Sequence, residues 1–295
     1  MGHFFCLDAQ TGSVIWSKHF PTDYQTETPY WGYSGHPLVF EDRVICLVGG
    51  EGSLVVAFEK DTGHEVWRAL SAEIIGYSSP TLIESGGQPQ VVVATPTAVV
   101  GLDPRTGVKL WDVPFRPHYA MAIATPQQAG DRLFVGGHGD AVVIKLDPSE
   151  QTATLQWRGK RNTALYPSNS TPLIVDDTVY GVDAGGSLRA VDLATGERLW
   201  EQTKPVSGQS DHPLPHGTAF LVRNHNHCFL FNERGELRIA QLSREGYQER
   251  DRAKLIEPTS GAFHRKVVWS YPAFAAKCIF VRNDSELACF SLAAK

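Results

Sequence analysis

The 295 residues carry 27 basic and 32 acidic side chains, a net charge of −5 with no Lys/Arg cluster, so the chain offers nucleic acid no basic footprint. A hydrophobic content of 42%, with 10% aromatics, suits a packed interior and argues against disorder; no apolar run reaches the roughly 18 residues of a helical membrane span. Five cysteines (Cys6, Cys46, Cys228, Cys278, Cys289) stand singly without a CxxC pair, against a zinc ribbon or attached haem; free buried thiols are expected, with one cross-strand disulfide left open.

No charged segment followed by an apolar one opens the chain, so no secretory signal is read in it. It enters at once into a strand-like run, His3 to Asp8, and a truncated first blade over 1–20 is expected. From there short apolar runs return in groups of four. The group over 36–70 sets the pattern: HPLVF, RVICLV, LVVAF and HEVWRAL, whose lengths and Gly, Asp and Ser boundaries fit β-strands and not helices. Similar groups fill 79–114, 124–158, 170–203 and 216–255, and three more strands occupy 269–292.

Between the third and fourth strands one phrase recurs about every 45 residues. Its members are Asp8, Gly12 and Trp16; Glu59, Gly63 and Trp67; Asp103, Gly107 and Trp111; and Asp192, Gly196 and Trp200. A worn copy ends at Trp157, and after Gly246, which is read as keeping the turn, Arg250 takes the Trp position. The Asp can accept from backbone N–H groups ahead of it, the Gly supplies φ > 0, and the Trp reaches the fourth strand, where its ring can pack between sheets. Radial repetition of such units makes a β-propeller. The expected fold is all-β, one propeller domain over 1–295 with about six four-stranded antiparallel blades, or seven. A ring has to close, so Val14 to Phe20 is expected to supply the fourth strand of the last unit.

In an up-and-down blade, the linker into the first strand and the turn between the second and third strands open on the same face. The linkers share aromatic or His residues followed by Pro: YWGYSGHP, IGYSSP, HYAMAIATP, LYPSNSTP, DHPLPHGTA and VWSYPA. This assigns Trp31, Tyr33, His36, Tyr77, His118, Tyr119, Tyr166, Asn169, His212, His216, Trp269 and Tyr271 to one ligand or partner face. The companion turns add Glu51, His138, Asp140, Asp183, Glu233, Arg282 and Asp284. Aromatic walls with a few polar groups describe a pocket, and the competing reading is that the rings plug a narrow channel. No metal site is expected. His225 and His227 would share a strand face but lie in a turn on the opposite side, and His212 with His216 could meet His36 or His118 only as an imidazole cluster. No GxSxG, HExxH or P-loop string is present, so no catalytic residue is assigned.

The phrase [A/L]xDxxTGxxxW resembles the PQQ-like β-propeller repeat of quinoprotein dehydrogenases and of outer-membrane assembly lipoproteins of the BamB type. The runs TPYWGYSGHPLV, RAKLIEP and VVWSYPAFAAKCIFVRNDSEL resemble exported BamB-like proteins. The resemblance implies a periplasmic parent, longer at its N-terminus. It does not carry the cofactor over. Quinoproteins use adjacent cysteines, a stacking Trp and a calcium held by Glu, Asn and Asp, and neither a Cys-Cys pair nor a calcium-type acidic loop is present here. No cofactor is expected, PQQ included. The function implied is a non-catalytic scaffold in the cell envelope that binds a protein, a peptide or a glycan. The alternative is a quinoprotein-type oxidoreductase or metal-dependent enzyme at the channel mouth.

Overall fold

A computed structural model describes residues 1–160, 163–208 and 211–293. The chain divides into two compact units, Met1–Arg158 and Gly159–Lys295. The first unit begins with a hairpin of β1 (His3–Leu7) and β2 (Val14–His19), then one helical turn, α1 (Phe20–Asp23). Three four-stranded meanders follow. They are β3 (Leu38–Phe40), β4 (Arg43–Leu47), β5 (Val55–Glu59) and β6 (Glu65–Ala69); β7 (Thr81–Ser85), β8 (Gln88–Ala94), β9 (Ala98–Leu102) and β10 (Lys109–Pro114); and β11 (Gln127–Ala129), β12 (Arg132–Gly137), β13 (Asp140–Asp147) and β14 (Thr152–Arg158).

The second unit holds two more: β15 (Leu173–Val175), β16 (Thr178–Val182), β17 (Leu188–Asp192) and β18 (Arg198–Gln202), then, after α2 (Lys204–Ser207), β19 (Ala219–Asn224), β20 (His227–Asn232), β21 (Glu236–Leu242) and β22 (Tyr247–Lys254). A hairpin of β23 (Ser260–Ala262) and β24 (Arg265–Val267) precedes the three-stranded sheet of β25 (Ala273–Ala275), β26 (Cys278–Arg282) and β27 (Leu287–Ser291). Every strand pairing among the described residues is antiparallel, and the five cysteines are free thiols, of which only Cys46 and Cys228 are buried.

One expectation is corrected here. Val14 to Phe20 was assigned to the last sheet, but β2 pairs with β1, the strand to which its own turn joins it, from His3↔His19 to Leu7↔Val14. Phe20 leaves the strand because Pro21 cannot donate to a ladder and starts α1 instead. The β23–β24 hairpin was not anticipated at all. Its turn uses Phe263 and His264 at φ +47° and +63°, so none of the usual Asn-Gly or Asp-Gly signals marks it.

The repeated turn works as a small hydrogen-bonded cage. Asp8 Oδ1 accepts from the N–H groups of Gln10 and Thr11 and from the Thr11 hydroxyl, and Asp103 and Asp192 do the same for Arg105/Thr106 and Ala194/Thr195. These bonds to the ionised form, led by the Thr11 N–H, hold the Asp8 carboxyl below its ordinary value. Beyond each turn the ladder slips by one residue just before the Trp position. Cys6 faces Trp16, Ala57 faces Trp67, Gly101 faces Trp111, Val143 faces Trp157 and Ala190 faces Trp200, each beside a bulge. A bulge adds twist and re-aims the side chain after it.

The re-aimed ring reaches the next sheet's turn. Trp16 Nε1 donates to Lys60 O (2.8 Å), Trp67 Nε1 to Pro104 O (3.1 Å) and Trp200 Nε1 to Ser243 O (2.9 Å). A Cβ on Gly63 would lie 2.7 Å from the Trp16 ring, and one on Gly107 would lie 2.5 Å from the Trp67 ring. These glycines therefore serve twice, once for φ +73° and once as the floor under the preceding Trp.

Where the phrase fails, the contacts change. The turn after β13 has Gln151 at φ +53° in place of Gly. There Trp111 Nε1 donates to Gln90 Oε1 (2.7 Å), and Gln90 Nε2 donates to Gln151 Oε1 (2.7 Å), so a buried amide relays the link. The turn before β22 is two residues shorter and pairs Leu242 with Tyr247. Gly246 accordingly has no left-handed φ, the bulge moves, and Asp251 rather than Arg250 faces the third strand at the Trp register. The expected turn-keeping role of Gly246 and the Arg250 assignment are both corrected by that shorter turn.

Apolar cores lie between consecutive sheets. Phe40, Leu54, Trp67, Val91 and Leu102 join the sheets of β3–β6 and β7–β10, while Val99, Trp111, Phe115, Leu133 and Ile144 join those of β7–β10 and β11–β14. In the second unit Tyr180, Leu188, Leu221 and Leu230 do so for β15–β18 and β19–β22.

A buried ion network adds to this last core. Arg238, 2% exposed, donates to Glu249 Oε2 and Glu236 Oε2 at 2.8 Å each. Burial alone would raise the Glu236 pKa, but the bonds from Arg238 and Asn232 and the charges of Arg238 and Arg234 prevail and hold it below its ordinary 4.5. A depressed carboxylate stabilises the fold above its unfolded pKa, and that contribution disappears as pH falls through the folded value. Thermal melts should thus show the second unit losing stability below about pH 4.5. Glu236→Gln should lower the Tm at pH 7 and flatten the acid slope; an unchanged slope would count against this assignment.

Candidate functional site

Within each unit, the linker before a first strand is tied to a turn between second and third strands. His118 N–H donates to His138 O (2.8 Å) and His138 N–H to Met121 O (3.0 Å). Ala184 N–H donates to Tyr166 O (2.8 Å), Glu233 N–H to Thr218 O (2.9 Å) and Val268 N–H to Glu233 O (2.7 Å). These backbone bonds hold each of the four linkers beside a companion turn.

Three of the companion acids brace the linkers from within the fold. Asp140, Asp183 and Glu233 are 6%, 6% and 1% exposed. Each accepts a linker N–H, from Arg116 (2.8 Å), Tyr166 (2.9 Å) and Thr218 (3.1 Å) respectively. Each also pairs with an arginine: Asp140 with Arg158, Asp183 with Arg189 (2.8 Å) and Glu233 with Arg265 (2.6 Å). Desolvated carboxylates require such partners, and these are engaged in holding the linkers in place. Asp284 accepts the Ser260 hydroxyl (2.5 Å) and so anchors the unexpected hairpin.

In the second unit most of the assigned residues are engaged by neighbours within the fold. Trp269 Nε1 donates to Glu233 Oε2 (3.0 Å), and His216 stacks on Phe263 at 4.7 Å. Burial first, then the Arg265 charge, hold the His216 pKa below its ordinary value. Asn169 Nδ2 donates to His216 O (3.3 Å) and Thr218 Oγ1 (2.9 Å). Tyr271 lies 4.1 Å from the Phe220 ring and accepts the Thr171 N–H (2.8 Å), while the Tyr166 hydroxyl donates to Gly159 O (3.0 Å). His212 is exposed. Among the described residues no group of three or more His, Cys, Asp or Glu is placed to hold a metal ion.

The first unit has an open site. A cleft of about 1190 Å³ is lined by Pro29, Tyr30, Trp31, Ile74, Ile75, Tyr77 and Tyr119, together with Gln25–Thr28, Gly50, Glu51, Ser71–Glu73, Pro96 and Ala120. Trp31 packs edge-on against Tyr30 (5.1 Å) and Tyr77 (5.3 Å). Tyr77 is buried and acts as the wall; Tyr30, Trp31, Ile74 and Tyr119 are 88%, 52%, 49% and 77% exposed. Tyr119 and Ala120 both hold φ near +57°, a left-handed conformation that costs energy for residues with a Cβ. The His118–His138 backbone bonds on either side hold Tyr119 there.

Three assigned residues of this unit fall outside the cleft lining. Tyr33 is half-buried against Phe20 (5.5 Å), His36 is exposed with its N–H on Ser79 Oγ (2.8 Å), and the His118 ring faces His138 (5.8 Å). Sequence reasoning missed Tyr30, Ile74, Glu27 and Glu73. Tyr30 was legible as the neighbour of Trp31; the two glutamates sit in linkers without any local pattern.

The profile of a family described as outer membrane protein assembly factor BamB matches residues 1–123 and 118–293. BamB of Shewanella oneidensis is 24% identical over 245 residues, 79% of this chain and 60% of that protein. BamB of Yersinia pestis is 24% identical over 246 residues, 78% of this chain and 58% of that protein. The chain thus spans about 60% of the length of these curated relatives. The crystal structure of BamB from Moraxella catarrhalis superposes with a TM-score of 0.68 at 17% identity, covering 98% of this chain and 78% of that one, and the shared fold is the β-propeller. The repeated turns, the stacked four-stranded sheets and the matched profile together place the chain in the family of the outer membrane protein assembly factor BamB.

Proposed function

We propose that the protein is a non-catalytic interaction scaffold of the cell envelope, serving outer membrane protein assembly, and that it holds a protein partner on the aromatic cleft of its first unit. Family membership supports the process, and the exposed Tyr30–Trp31–Tyr119 surface supports the place. Contiguous exposed apolar surface of this kind marks an interaction site. The reading needs no cofactor: the cysteines are separate, and the carboxylates Asp140, Asp183 and Glu233 are taken by arginines. No helix among the described residues is long and apolar enough to cross a membrane.

A photo-crosslinking residue at position 30, in a Gram-negative host, provides the test. Adducts with components or clients of the outer membrane assembly machinery are expected, and Trp31→Ala with Tyr119→Ala should abolish them without unfolding the protein. Adducts confined to proteins foreign to that machinery would refute the reading. Glycan capture by the purified protein would move the ligand from peptide to sugar. Retention of added PQQ and Ca²⁺ with dye-linked alcohol oxidation would favour the enzyme alternative.

A further inference from the structure

The charge of the cleft says which partner chemistry fits it. Its lining contains three carboxylates, Glu27, Glu51 and Glu73, and no Lys, Arg or His. All three are exposed, and none has a hydrogen-bond or ion-pair partner among the described residues. This sets them apart from Asp140, Asp183 and Glu233, whose charges are neutralised inside the fold. The glutamates come from three segments, the linker after α1, the β4–β5 turn and the β6–β7 linker, and the topology brings them around one aromatic wall.

Aromatic faces attract cations through the ring quadrupole, and the same unit already shows this within its own fold: Arg68 lies over Tyr24 at 5.6 Å and Arg105 over Phe40 at 5.3 Å. The rings of Tyr30, Trp31 and Tyr119 are open to do likewise for a partner.

We propose that this cleft is a docking site for a basic peptide segment, with an apolar or aromatic side chain seated against Tyr77 and Ile75 and flanking Lys or Arg residues between the exposed rings and Glu27, Glu51 and Glu73. This deepens the scaffold reading by naming the partner's chemistry, and it rests on that reading. An acidic segment is repelled by the same three charges. A neutral apolar segment leaves them unused.

The probe is a capped, fluorescently labelled peptide, Lys-Trp-Lys-Phe-Lys, compared with its Glu-for-Lys counterpart by anisotropy on the full chain. The basic peptide should bind, the acidic one should not, and affinity should fall as salt is raised and the charges are screened. Glu27→Gln, Glu51→Gln and Glu73→Gln combined should weaken binding about tenfold and remove most of the salt dependence, three exposed pairs each giving roughly a factor of two. Because all three are exposed, far-UV circular dichroism should stay unchanged. Trp31→Ala should abolish binding. Equal binding of both peptides, or an unchanged affinity in the triple variant, overturns the proposal. Crosslinking at position 30 separates the two levels. If the triple variant still forms the envelope adducts while peptide discrimination is absent, the charge assignment falls and the scaffold reading stands.

Discussion

Trp67→Ala should destabilise the first unit by about 3–5 kcal/mol, the range for removing a buried Trp or Phe ring. The ring is 8% exposed, sits in the core between the sheets of β3–β6 and β7–β10, and covers Gly107. Its Nε1 bond to Pro104 O also ties one sheet to the turn of the next. Trp67→Phe keeps most of the apolar area and loses that bond, so about 1–2 kcal/mol is expected. A double-mutant cycle tests the packing claim. Gly107→Ala carries two costs, the φ of +73° and a Cβ 2.5 Å from the Trp67 ring. In the Trp67→Ala background only the first remains, so the two changes should be clearly sub-additive. Additive losses in urea unfolding would show that ring and turn are not coupled.

Glu233→Ala should be as damaging to the second unit, about 3–5 kcal/mol, because removing one member of a buried pair strands the other. Glu233 is 1% exposed and receives Arg265 Nε, Trp269 Nε1 and Thr218 N–H together. Its loss takes the counter-charge from Arg265, which keeps only its Nη2 bond to Pro215 O (3.0 Å), and removes the acceptor of two neutral donors. Glu233→Gln should recover part of the loss through its amide oxygen. Glu233→Gln combined with Arg265→Met, which removes both charges, should lie above Glu233→Ala in Tm, since replacing a whole pair is tolerated better than halving it. The Trp269 emission spectrum reports the change locally. If Glu233→Ala unfolds at the wild-type denaturant midpoint, the carboxylate is no brace.

The repeated turn was legible because its parts are chemically constrained: a carboxylate accepts the turn's donors at Asp8 and, through the Thr62 hydroxyl, at Glu59, and only Gly fits under Trp16 at Gly63. Strand grouping followed from the same regularity. The β23–β24 hairpin was hidden, since Phe263 and His264 adopt left-handed angles that their identities do not advertise. The moved bulge at Asp251 was hidden too, because counting four residues from Gly246 assumes a turn length that only pairing reveals. At the site, residue type drew attention to the linkers, but it could not separate an exposed ring such as Trp31 from Trp269, which donates to a buried carboxylate. Nor could it show that Asp140, Asp183 and Glu233 are paired while Glu27, Glu51 and Glu73 stand open. That difference depends on arginines 6 to 32 positions away, Arg189 from Asp183 and Arg265 from Glu233.

The reach of each tryptophan to the turn of the next sheet makes cooperativity a property of neighbours. The acceptors for Trp16, Trp67 and Trp200 lie 44, 37 and 43 residues downstream. Each of these indoles is clamped only when the turn of the following sheet is in place, so loosening one sheet also releases the ring of the sheet before it.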